Sequence, residues 1–448
     1  MHTNHWKVIP AVIASGILSF SGVLIETAMN VTFPTLMTEF NTNANGVQWV
    51  TTGYLLAIAI IVPISSFLIR NFSTRQLFIV SNMLFLVGII LNSLSPSLTI
   101  LLLGRVLQGI GTGIALPLMF HIILTQSPIK SRGMMMGIGS MITSLAPAIG
   151  PTYGGILLNT LGWRTIFWFL IILVLISLII GLMSIPNETV SRNEKFPINT
   201  FAFLAIGLSL SLLAVEKLSL IMLVIGIVSL IAFYIANKKQ ALLHLTLFKN
   251  LNFNLYMYSF LVYQAILLGL SFILPNYLQI QLHVNASAAG LFMFPGALIG
   301  AILAPISGSL LDHFGQFRPV VIGLIISTIA LILMVSYFQQ LNFWTLMFMH
   351  MLLMVGIGFS YANLMTVTLA TLPPSQTADG NGILNTTQQF VGASATAIVA
   401  QLITTAVHAS PETGMIVGAQ KGIGGLTLLI VLSLMLFVGA HFYNKKVG

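Results

Sequence analysis

The chain has no cysteine, which excludes disulfides, thiol nucleophiles and thiolate metal sites. Charge is nearly as scarce: Asp, Glu, Lys and Arg make up 6% of 448 residues, and only eight side chains are acidic. No segment is polar enough to build a sizeable water-exposed domain, which argues against a membrane receptor or a membrane enzyme. HExxH, phosphate-loop and nucleophile-elbow patterns are missing, so no metal, cofactor or ATP motor is expected.

What the chain has is hydrocarbon. Apolar residues fill 57% of positions, a balance that no water-soluble globule of this length shows. A bilayer about 30 Å thick accepts such a chain in runs of roughly 20 residues. The net charge of +9 is scattered singly or in pairs over short loops, so it reads as topology and nucleic acid is not an expected partner.

Fourteen apolar runs are predicted as transmembrane helices: 9–34, 47–69, 76–95, 98–123, 133–159, 164–185, 199–215, 218–236, 253–280, 286–311, 319–338, 342–371, 382–407 and 421–442. The opening MHTNHWKVIP leads into the first run without a small-residue cleavage site and is read as the start of a helix. With the N-terminus inside, thirteen Lys and Arg fall on cytoplasmic segments, against Arg164, Lys217 and Lys421 outside. That bias supports an even span count with both termini cytoplasmic.

A faint repeat relates FLIRNFSTRQLF (67–78) to SLLDHFGQFRPV (309–320), each after the second helix of a six-helix set. The expected organisation is therefore an N-terminal half over 1–186, a linker with two additional helices over 187–252, and a C-terminal half over 253–448. Duplicated halves are a common transporter plan, with the substrate site near the midplane.

Glu26 is the one acid set deep in a run, within SGVLIETAMNVTFP. An ionised carboxylate there costs several kcal/mol unless paired, hydrated or protonated, which makes Glu26 a candidate proton carrier. Ser15, Ser19, Gly22, Glu26 and Asn30 share one helical face, expected to line a cavity. The alternative is a structural carboxylate bonded to a neighbouring helix. In LLLGRVLQGIGTGIALP, Arg105, Gln108 and Thr112 likewise share a face, and Arg105 lies at about the same depth as Glu26, roughly 10 to 12 Å below the outer surface. Direct pairing of the two is left open by the sequence.

In the second half, Tyr263, Asn385 and Gln388 are candidate cavity residues, with Gly392 and Thr396 continuing the stripe of Asn385 and Gln388. His350, inside a run, is a possible second proton site.

Taken together, WVTTGYLLAIAIIVP (49–63), LIETAMNVTFP, RVLQGIGTG and GIGSMITSLAPAIGPTYGG (137–155) resemble the fourteen-spanner drug:H+ antiporters of the major facilitator superfamily. The resemblance implies an all-α membrane fold of two six-helix halves plus two further helices. It also implies a monomeric, multi-pass bacterial cell-membrane protein that exchanges protons for amphiphilic drugs and so confers antibiotic resistance. Glu26 stands where the family usually has aspartate, and Arg105 matches its fourth-span arginine. Its antiporter motif maps onto Gly137, Gly150, Pro151 and Gly154. Its cytoplasmic loop motif maps onto Asp312, Gly315 and Arg318, while in the first half Arg70 and Ser73 replace the Asp and Gly. A facilitator or a lipid or metabolite exporter on the same fold remains the alternative.

Overall fold

The computed structural model describes residues 6–128, 132–187, 195–340, 342–373 and 376–447, and among them no strand occurs. The helix α1 runs Val8–Ala28 and passes through a 3-10 turn, Met29–Thr32, into α2, Phe33–Glu39. A single turn, α3 (Ala44–Val47), precedes α4 (Trp49–Ile61) and α5 (Ser65–Asn71). Then come α6 (Thr74–Ser93), α7 (Leu98–Gln126), α8 (Arg132–Leu161) and α9 (Thr165–Ser184). The next two are α10 (Ile198–Lys217) and α11 (Leu220–Asn237). The last six are α12 (Leu251–Ile280), α13 (Ala286–Phe314), α14 (Phe317–Tyr337), α15 (Phe343–Ala370), α16 (Thr377–Ala409) and α17 (Gly414–Val447).

Thirteen helical segments of the described residues are long and apolar enough to cross a membrane. The thirty-residue α8 stands at the fifth apolar run, so each of the fourteen expected spans coincides with helix. Hydrocarbon offers backbone groups no partner, and a helix satisfies them within its own segment. Side chains close the helix ends: Ser97, Asn250, Asn285 and Asn342 each accept from a first-turn backbone N–H. Prolines 117, 147, 151, 275, 295 and 305 lie inside helices. Outward-facing Ile172, Ile179, Ile221, Val228 and Leu428 give the surface the apolar character that lipid tails match.

By contact the chain forms two compact units, Met1–Thr32 with Trp49–Leu242, and Phe33–Gln48 with Leu243–Gly448. Helix α1 is central to the first, packing on α7, α8 and α9; Ser177 Oγ donates to Ala14 O at 2.7 Å. The pair α10 and α11 joins this unit, tied by the Trp49 indole N–H donating to the Glu216 carboxylate at 2.8 Å. Helix α12 is central to the second unit, packing on α15, α16 and α17 and buried along most of its length. Residues 33–48 belong with it: the Phe33 ring lies 5.4 Å from Phe272, and Asn45 Nδ2 donates to Gln401.

The two repeat loops close differently. Gly315 caps α13 at φ +80°, a conformation in which any Cβ is strained, so glycine is required there. In the first half Ser73 is extended and caps α6 reciprocally with Gln76, a box that needs no glycine.

Candidate functional site

The first unit holds a continuous polar network inside its apolar helices. Arg105 is fully buried: its Nε donates to Val50 O at 2.8 Å and Nη1 to Gln108 Oε1 at 2.9 Å. The guanidinium lies 4.2 Å from the Tyr54 ring centroid, a cation–π contact strengthened by desolvation. Asn92 Nδ2, from α6, also donates to Gln108 Oε1, at 2.8 Å. The Tyr54 hydroxyl donates to Thr112 Oγ1 at 2.8 Å, and Thr112 in turn donates to Gln108 O at 3.0 Å. Two donors, Arg105 Nη2 and Gln108 Nε2, are buried without a hydrogen bond among the described residues; for the neutral Gln108 amide that costs about 1–3 kcal/mol, and for a charged guanidinium more.

Glu26 stands beside this network on α1, buried but for 6% of its surface. Its charge interacts with Arg105, yet among the described residues no salt bridge joins them. The two groups that share a depth in the sequence are thus neighbours in space without a direct ion pair. One turn on, Asn30 Oδ1 accepts from Thr51 at 2.7 Å, and one turn earlier Gly22 meets Thr112. A Cβ at Gly22 would come within 2.5 Å of Thr112 Oγ1 and 3.0 Å of the Tyr54 hydroxyl, so its absence lets α1 close on α4 and α7. Ser15 donates to Ala11 O, while Ser19 Oγ is buried with no hydrogen-bond partner among the described residues.

Helix α8 reaches the same turn of α1 from another side. A Cβ on Gly150 would lie 2.8 Å from Leu24 O and against Thr27, and one on Gly154 would overlap Ala28 O. These two of the three motif glycines therefore touch the α1 backbone within two residues of Glu26. Pro151 lies between them, where it removes one backbone hydrogen bond of α8. The surroundings of Gly137 and the side chain of Asp312 fall outside the described residues. Arg318 is exposed in the first turn of α14.

The second unit carries a separate, uncharged cluster. Tyr361 OH donates to Gln264 Oε1 at 2.7 Å, and Gln388 Nε2 bonds both that oxygen, at 3.1 Å, and the Tyr361 oxygen, at 2.7 Å. Fully buried Tyr263 donates to Ser327 Oγ at 3.2 Å, and Asn385 bonds back to Asn381 within α16. His350 is buried against Phe292, ring centroids 5.7 Å apart, with Nδ1 beside Gly296 and without a hydrogen bond among the described residues. Elsewhere in this unit Trp344 is 69% exposed, and Tyr277 packs on Phe338.

Sequence reasoning passed over four members of these networks. Tyr54 sits within the quoted WVTTGYLLAIAIIVP, where its depth matches Arg105. Asn92, Gln264 and Tyr361 carry no local signal, because their partners lie 16, 97 and 97 residues away.

The sequence profile described as Major Facilitator Superfamily matches residues 16–397. The chain belongs to the major facilitator superfamily. It is accordingly a multi-pass membrane transporter and not an enzyme. The lincomycin resistance protein LmrB of Bacillus subtilis is 33% identical to it over 91% of this chain and 88% of that protein. A multidrug resistance protein B homolog of Mycobacterium tuberculosis is 29% identical over 84% and 73%. The riboflavin transporter RibZ of Clostridioides difficile is 28% identical over 84% of both. Among solved structures, a bacterial homolog of the human lysosomal transporter Spinster, inward-facing and unoccupied, superposes with a TM-score of 0.72 at 16% identity over 96% of both chains. A likeness at that identity concerns this superfamily transporter's fold alone.

Proposed function

We infer that this transporter exports amphiphilic compounds, cationic or neutral aromatic, in exchange for protons. Its setting is the cell membrane of a bacterium, with both termini cytoplasmic and the chain acting as a monomer without cofactor. Export of drugs is supported by the lincomycin- and multidrug-resistance relatives. The single observation that carries proton coupling is Glu26: an acid in a membrane span, 6% exposed, with no salt bridge to hold it among the described residues.

In the inward-facing state Glu26 releases its proton and the ionised cavity accepts cargo. In the outward-facing state a proton from the medium neutralises Glu26 and cargo leaves. Cargo and proton compete for one charge, which couples their movements without ATP. Arg105 supports the carboxylate charge, with Ser19, Asn30, Gln108 and Thr112 lining the path and Tyr263, Asn385 and Gln388 contributing from the second half. Gly137, Gly150, Pro151 and Gly154 permit α8 to rock on α1. Asp312, Gly315 and Arg318 act as a cytoplasmic latch, and His350 is a second proton site. The halves are 1–186 and 253–448, with 187–252 as an insertion.

Cargo-driven proton flux in proteoliposomes tests this reading. Glu26→Gln should abolish the flux, and unchanged coupling in the variant rejects the mechanism. A metabolite carrier is the second reading, favoured by the riboflavin transporter relative. It is distinguished by dye extrusion that survives a protonophore.

A further inference from the structure

The triad of Gln264, Tyr361 and Gln388 joins α12, α15 and α16, and its hydrogen bonds are lopsided. Gln264 Oε1 accepts from both Tyr361 and Gln388, and Gln388 Nε2 donates to both Gln264 and Tyr361. That leaves Gln264 Nε2, a donor, and Gln388 Oε1, an acceptor, with no hydrogen bond among the described residues. Tyr361 and Gln388 are only half-buried, so the cluster is within reach of a ligand. Gly392 keeps the donor clear: a Cβ there would crowd Leu268 and come 3.3 Å from Gln264 Nε2.

The surroundings select what such a pair would hold. The Tyr361 ring stacks on Phe260 at 4.9 Å, 6° from parallel, and meets Tyr263 edge-on at 6.3 Å. Aromatic faces of this kind favour another planar ring beside them. Helices α12 and α15 contain no Asp, Glu, Lys or Arg, and the one such residue of α16, Asp379, is in its first turn. Full charge therefore has no counter-ion on these three helices near the triad, and recognition there runs through neutral hydrogen bonds.

We propose that Gln264, Tyr361 and Gln388 form a recognition subsite for an uncharged donor–acceptor group, a secondary carboxamide or its equivalent, attached to an aromatic ring. The ligand carbonyl accepts from Gln264 Nε2, and the ligand N–H donates to Gln388 Oε1. This deepens the export reading by naming a chemical class for the cargo, and it rests on that reading.

Procainamide and procaine are suitable probes, because both are cationic aromatic amines differing only in amide N–H against ester oxygen. Binding of each to the purified full chain is measured by equilibrium dialysis at one pH. The wild type should bind procainamide about three- to tenfold more tightly than procaine, the worth of one neutral hydrogen bond. Gln388→Met should bring that ratio close to one, and Gln264→Met should weaken both probes, since ester and amide share the carbonyl. Tyr361→Phe keeps the ring and releases Gln264 Oε1, and should narrow the ratio if either amide variant elutes aggregated. Equal affinities in the wild type, or a wild-type ratio in both Gln388→Met and Tyr361→Phe, overturn the proposal. Failure of the export reading is separate: it appears as absent proton flux in proteoliposomes, while the binding ratio is still measured.

Discussion

Gly154→Ala isolates the contact between α8 and the helix that carries Glu26. The added methyl would overlap Ala28 O and sit 3.0 Å from Ala28 Cα, both backbone atoms of α1. Carbon-to-carbonyl contacts settle near 3.3–3.6 Å, so the two helices must separate by about 1 Å. Backbone cannot step aside as a side chain does, and overpacking of this kind costs about 1–3 kcal/mol. Opposing it, alanine gains about 1 kcal/mol of helix propensity over glycine, a term that acts at any helical position. Gly425→Ala supplies the comparison, because nothing lies within 4 Å of its added methyl. Thermal unfolding of the purified protein should rank Gly154→Ala below wild type and Gly425→Ala level with it or above. Export by Gly154→Ala should fall several-fold with it, because α1 shifts two residues from the proposed proton carrier. A Gly154→Ala protein as stable as Gly425→Ala would refute the backbone contact and with it the assigned role of the motif glycines.

Other substitutions probe the network separately. Arg105→Lys keeps the charge but not the fork that reaches Val50 O and Gln108 Oε1 together; a lost charged hydrogen bond is worth about 1.5–3 kcal/mol, and export should drop at least tenfold in a proteoliposome assay. Asn92→Leu removes one of the two donors to Gln108 Oε1 without touching Arg105, and should destabilise the protein by about 1–2 kcal/mol in thermal unfolding while reducing export less than Arg105→Lys. Trp49→Phe leaves the Glu216 carboxylate without its indole donor; at this half-buried site the loss should be near 1 kcal/mol, and proteolysis at the α10 end should increase.

Much of the architecture was legible because a bilayer imposes a rule that acts locally. Every span needs about 20 apolar residues whatever its neighbours are, so all fourteen runs coincide with helix, most to within a few residues. Glu26 was legible for the same reason: a charge inside a run stands out against hydrocarbon. Arg105 followed from counting helical rise, which gives depth, and depth is a property of one helix at a time. The polar loop motif was legible where chemistry demanded one residue type, as with Gly315 at its positive φ.

What one helix cannot specify is which face of another it meets. Asn92 looked like any polar residue near a span end until α6 brought it to Gln108. Gln264 and Tyr361 likewise became a cluster only when α12 and α15 packed. The absence of an ion pair between Glu26 and Arg105 belongs to this class, since equal depth fixes one coordinate of three and the helix rotations fix the others. Sequence alone determined the spans, their depth and the presence of one sunken acid, because partition into hydrocarbon is settled residue by residue. Tertiary packing alone decided which buried donors and acceptors found each other, because hydrogen bonds are short and directional, and the close approach permitted by Gly104, against Asn92, and Gly109, against the α4 backbone, brings the partners of α7 within range.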